Sequence, residues 1–120
     1  MRRFVALLLA LFATAAVAET WRVALIGDTP YSDYERRELP KMLGAIAEES
    51  IDLIIHAGDI KHSQDECSDA LFDDRHALFA ASPTPLIYVP GDNEWTDCAR
   101  VIAGHREPAE RLTALRARFF

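Results

Sequence analysis

The chain has 120 residues, half of them hydrophobic, with 19 acidic against 13 basic side chains and a formal charge of −6. That length allows one small domain. The acidic balance offers no basic patch to neutralise the phosphates of a nucleic acid, so none is expected as a stable partner; bound metal ions can still supply local positive charge to a small phosphate compound.

At the N-terminus, Arg2-Arg3 precede the apolar run Phe4–Phe12, and Ala16-Val17-Ala18 follow. These are the positive, apolar and small-residue regions of a secretory signal peptide over residues 1–18, cleaved after Ala18. A membrane anchor is the alternative, but Phe4 to Ala18 is shorter than the roughly 20 residues a spanning helix needs. Residues 19–120 are then the exported part, secreted or periplasmic, with no membrane attachment after cleavage.

Trp21–Ile26 is a buried-strand run that ends in Gly27-Asp28. Thr29-Pro30-Tyr31-Ser32 reads as a loop, and Ser32 or Asp33 can cap a helix from about Tyr34 to Glu49. Leu39, Met42, Leu43, Ile46 and Ala47 repeat at helical spacing and are expected to face the sheet, with Pro40 kinking the helix or dividing it in two. The second strand, Ile51–Ala57, ends in Gly58-Asp59, with Asp52 facing solvent. His56 is either a site residue or, more commonly at such a position, a packed strand histidine.

The polar loop Ile60–Glu66 places Lys61 and His62 near enough to touch a ligand, against the plainer reading of a solvated loop. Ser68 or Asp69 starts a second helix whose Leu71, Phe72, Leu78 and Phe79 are core residues. Ser82-Pro83-Thr84-Pro85 stops it. The third strand, Leu86–Val89, then runs through Pro90 into Gly91-Asp92-Asn93-Glu94. Pro108 opens a last helix with Leu112, Leu115 and Phe119 inward. Its arginines, with Arg106, read as a solvated face, and His105 as surface.

Asp28, Asp59 and Asp92 are 31 and 33 residues apart, close to the roughly 30 of a strand-helix-strand unit. A βαβαβα order with parallel strands puts all three strand ends on one side of the sheet, where open α/β sheets bind ligands. Three carboxylates gathered there repel one another unless cations neutralise them, and an oxygen-rich cluster suits divalent metals. Cys67 and Cys98 each follow a Gly-Asp by a few residues. Loops leaving neighbouring parallel strands can meet, so a disulfide clamping the two loops is expected in an exported chain. Two unpaired thiols or a metal site are the alternatives, the latter without CxxC spacing.

Gly27-Asp28-Thr29-Pro30, Gly58-Asp59-Ile60-Lys61 and Gly91-Asp92-Asn93-Glu94 together resemble, in order and spacing, the first three motifs of the calcineurin-like metallophosphoesterases. The resemblance implies an α/β sandwich of which residues 19–120 form the first, partial half. It implies hydrolysis of small phosphomonoesters or diesters at a dinuclear centre of Mn, Fe or Zn. Asp28 would bind one ion, Asp59 both, and Asp92 the second, where the family usually has Asn. Pro30 stands where the family commonly has a His ligand, and Asn93 where it has the His that assists the transition state. The family's later His motifs have no counterpart here, so the 120 residues alone are expected to be nearly inactive. The competing reading is a truncated or degenerate exported domain that at most binds a divalent cation. An aspartyl-phosphate phosphatase needs a second Asp at position 30, and the Gly-rich fingerprints of Rossmann and P-loop proteins are absent.

Overall fold

A computed structural model describes residues 19–120. The expected signal peptide, residues 1–18, lies outside the described residues. The elements are β1 (Val23–Ile26), α1 (Asp33–Glu48), β2 (Leu53–His56), α2 (Asp69–Ala80), β3 (Leu86–Tyr88), two 3-10 turns (Asp97–Ala99 and Val101–Ala103) and α3 (Pro108–Phe119). The strands form one parallel sheet in the order β1-β2-β3, aligned Ile26 to His56 and His56 to Tyr88.

The local signals act as their chemistry demands. Ser32 Oγ accepts the Glu35 N–H and Ser68 Oγ the Leu71 N–H, so each hydroxyl satisfies a donor that its helix leaves unpaired. Pro108 occupies the first turn of α3, where a missing N–H costs nothing. Of the two outcomes expected at Pro40, a kink or a division, the division does not occur: α1 is a single helix through it. Pro40 is exposed, so its ring faces water while Leu39 and Leu43 hold the helix on the core.

Sequential strand order with right-handed crossovers carries successive helices to one side of the sheet. The core lies there: Ile54, His56 and Tyr88 from the strands meet Leu39, Leu43, Phe72, Phe79 and Leu115 from the helices. Tyr88, Phe79 and Phe119 pack their rings together, with Tyr88 and Phe119 centroids 4.5 Å apart. The other face carries Val23, Leu25 and Ile87, and Leu25 is 72% exposed. Parallel strands are usually covered on both faces; here, among the described residues, one is covered. Met42, expected to face the sheet, is instead partly exposed beside Tyr34 and Leu39.

Two charged side chains are buried against expectation. Arg111 is not part of a solvated face: its guanidinium donates to the Cys67 carbonyl and pairs with Asp69 and Glu110. Its guanidinium carbon lies over the Phe72 ring, 5.6 Å from the centroid. Lys61 is fully buried, its ammonium donating to the carbonyls of His62 at 3.1 Å and Asp65 at 3.0 Å. Burial pushes its pKa down, while Asp65 and Glu94 pull it back.

Candidate functional site

All three Gly-Asp pairs stand at the carboxyl ends of their strands. The turns differ in how they are made. Asp28 and Asp59 are themselves left-handed, with φ of 54° and 57°, a conformation that Asp tolerates better than most residues. Gly58, at φ 94°, and Gly91 bring the second and third turns into contact. A Cβ on Gly58 would strike the Gly91 backbone, and one on Gly91 would strike Asp59. Glycine is needed at both because two backbones approach there.

Glu94 joins the same two turns. It is fully buried, and its Oε1 accepts the N–H of Asp59 at 3.0 Å, the N–H of Gly91 at 2.7 Å and the Tyr88 hydroxyl at 2.6 Å. Oε2 has no partner. Burial pushes the carboxyl pKa up against these hydrogen bonds, and burial beside Glu94 raises that of the Tyr88 phenol.

Tyr31 completes the cluster. Its hydroxyl lies 2.9 Å from Asp28 Oδ1 and 3.4 Å from Asp59 Oδ2. Asn93 Nδ2 donates to that hydroxyl at 3.2 Å and to the Lys61 carbonyl at 3.1 Å, and the Asn93 N–H donates to Asp59 Oδ1 at 3.1 Å. Both amide hydrogens of Asn93 are thereby committed within the protein. Burial and then the Asp28 hydrogen bond hold the Tyr31 phenol well above its ordinary pKa. Position 31 reads as plain loop in the sequence, and nothing in the motif spacing points to it. Glu94 stands in a motif but is given no role by its spacing.

His56 takes the packed alternative. It is buried against Phe79, accepts the Gly58 N–H on Nδ1 and donates from Nε2 to the Thr29 carbonyl. Burial lowers its pKa, in keeping with an Nδ1 that accepts a hydrogen bond. It ties β2 to the loop after β1. Cys67 and Cys98 form a disulfide, with Cα atoms 5.6 Å apart, that joins the loops after β2 and β3. His105 is exposed.

The residues fit a cation in part. Oxygen atoms of Asp28, Asp59 and Tyr31 converge, none of the three aspartates makes an ion pair among the described residues, and such hard donors suit hard divalent ions. Among the described residues, however, no three His, Cys, Asp or Glu side chains close on one point.

A parallel α/β sheet with acidic side chains at three successive strand ends defines a class of domain whose ligand site lies at the sheet mouth. Within that class the chain belongs to the calcineurin-like phosphoesterase family, whose sequence model matches residues 22–118. Divalent metals are general in this family. No curated protein and no solved structure matches the chain.

Proposed function

We propose that this chain takes part in metal-dependent hydrolysis of small phosphomonoesters or diesters, as an exported, secreted or periplasmic protein free of the membrane after signal cleavage. The observation that carries the reading is the meeting of Asp28 and Asp59 at Tyr31 Oη, at the mouth of a parallel sheet of this family. In a dinuclear centre of Mn, Fe or Zn, Asp28 would hold one ion, Asp59 both and Asp92 the second. Ions so held supply Lewis-acid charge to phosphoryl oxygens and a source of nucleophile near neutral pH.

The chain's own residues do the positioning. The Asn93 N–H and the Glu94 carboxylate fix Asp59 from its side chain and its backbone, and the Tyr31 hydroxyl keeps Asp28 beside it. A second reading is a domain that binds a cation without catalysis, in keeping with the lack, among the described residues, of three His, Cys, Asp or Glu side chains closing on one point.

Calorimetric titration of Mn²⁺ or Zn²⁺ into the chain and its Asp59→Asn and Asp28→Asn variants tests the site. Asp59→Asn is expected to lose more affinity than Asp28→Asn, because a shared carboxylate serves two ions. Equal, undiminished binding in both variants removes the site. Binding without turnover of an aryl phosphate selects the second reading.

A further inference from the structure

The phosphoester reading leaves one function unfilled: the hydrogen-bond donor that meets the substrate's phosphoryl oxygens opposite the carboxylates. Asn93 stands at the expected position, but its two amide hydrogens go to Tyr31 and to the Lys61 carbonyl. The Lys61 ammonium is fully buried on backbone carbonyls. The Tyr31 hydroxyl lies against the carboxylates.

His62 is differently placed. It is exposed, and its ring stands edge-on to that of Tyr31 with centroids 5.7 Å apart. The Gln64 N–H donates to its Nδ1 at 3.2 Å, which makes Nδ1 an acceptor and puts the ring hydrogen on Nε2. Nε2 has no partner among the described residues. The segment that carries it is held from three sides: the His62 N–H donates to Asp65 Oδ2, its carbonyl accepts from Lys61 Nζ, and Cys67 beyond it is tied to Cys98. An exposed donor of fixed tautomer on a secured loop, beside the phenol that marks the carboxylate pair, has the character of a ligand-contacting group. We propose that His62 is a substrate-binding residue of this site, its Nε2–H donating to a phosphoryl oxygen of the phosphoester or of inorganic phosphate. The assignment rests on the phosphoester reading above.

Calorimetry separates the two. With Mn²⁺ bound to the whole chain, inorganic phosphate is titrated into the wild type, His62→Leu, His62→Gln and, as an exposed histidine elsewhere, His105→Leu. A hydrogen bond to a charged group predicts about tenfold weaker phosphate binding in His62→Leu. Affinity should return in part in His62→Gln, which keeps an N–H donor, and His105→Leu should match the wild type, with Mn²⁺ affinity the same in all four. Equal phosphate affinity in His62→Leu and the wild type, or Mn²⁺ binding with no phosphate binding, overturns the assignment and leaves the metal reading standing. Absence of Mn²⁺ binding by the wild type overturns both.

Discussion

The Glu94 carboxylate accepts the backbone N–H of Asp59 from the neighbouring strand end at 3.0 Å, so a residue of the third turn sets the position of the central carboxylate of the second. The same oxygen holds Gly91 N–H and Tyr88 Oη. Glu94→Ala strands three donors in a buried space, and each such group costs about 1 to 3 kcal/mol. We expect a loss of about 3 kcal/mol or more, read from urea unfolding midpoints. Glu94→Gln keeps the accepting oxygen and should cost less than half as much. Equal losses in the two variants would show that charge, rather than the acceptor, holds the turns.

The glycines give a contrast of sign. Gly91→Ala would drive a methyl into Asp59, and Gly58→Ala would drive one into Gly91 with an unfavourable positive φ besides. Both should lower thermal stability sharply and abolish ordered Asp59 resonances. Gly44 lies inside α1 with nothing within 4 Å of a Cβ. Gly44→Ala should therefore stabilise by about 0.5 to 1 kcal/mol. The same melting series reads all three.

Much of this arrangement is legible in the sequence, for identifiable reasons. Strands and helices are short-range patterns: apolar runs closed by Gly-Asp, and serines ahead of amphipathic stretches, give the βαβαβα order directly. Pairing of Cys67 with Cys98 follows from two loops leaving neighbouring strands on one side. The side chains that close the site depend instead on contacts distant in sequence. Tyr31 meets Asp59 and Asn93 only once the three turns are assembled. Lys61 is buried because two carbonyls of its own loop curl over its ammonium, and Arg111 because α3 docks on Cys67. No periodicity encodes such meetings. Pro40 does not divide α1, since a helix held by Leu39 and Leu43 tolerates a proline on its wet side.

The Cys67–Cys98 bridge closes a loop with a sequence separation of 31. In the chain-entropy description, a loop of that size contributes about 3 to 4 kcal/mol by restricting the unfolded chain. The doubly substituted Cys67→Ala, Cys98→Ala chain should unfold at a correspondingly lower urea concentration. Thiol counting on unreduced, denatured protein should find no free thiol in the wild type. Two free thiols would remove the bridge.

His56 makes stability depend on pH. Burial holds its pKa below the ordinary value of about 6.5, although Asp28 and Asp59 act to raise it. The unfolded chain therefore binds a proton first as the pH falls. Stability from the neutral ring is complete above about pH 6.5 and is lost progressively below it, with a slope of up to about 1.4 kcal/mol per pH unit. Urea titrations of metal-free protein between pH 8 and pH 5 should show a slope in the wild type that His56→Gln lacks. Parallel pH dependence in the two would show that His56 does not titrate differently on folding.

Leaving-group dependence is the sharpest expectation for chemistry. Hydrolysis breaks the bond between phosphorus and the leaving oxygen, which must carry away the electron pair and take up a proton. Asn93 has no acidic proton near neutral pH, and both its amide hydrogens are engaged. His62 has its Nδ1 engaged as the acceptor of the Gln64 N–H and is placed as a hydrogen-bond donor through Nε2, and the Tyr31 phenol is held far from proton release by burial and by Asp28. General acid assistance is worth about 10² to 10⁴-fold in such reactions. Turnover by the 120 residues should be slow, because Asp28, Asp59 and Asp92 offer few ligands for two ions. What turnover there is should favour esters whose leaving oxygen needs no proton. The comparison is between p-nitrophenyl phosphate and an alkyl phosphate at saturating Mn²⁺, with Asp59→Asn as the background. A preference for the aryl ester of at least about 10² agrees with the arrangement, whereas equal rates would identify a proton donor that neither Asn93 nor His62 provides. Robust Mn²⁺-dependent turnover of both esters would overturn the expectation of a centre poor in ligands.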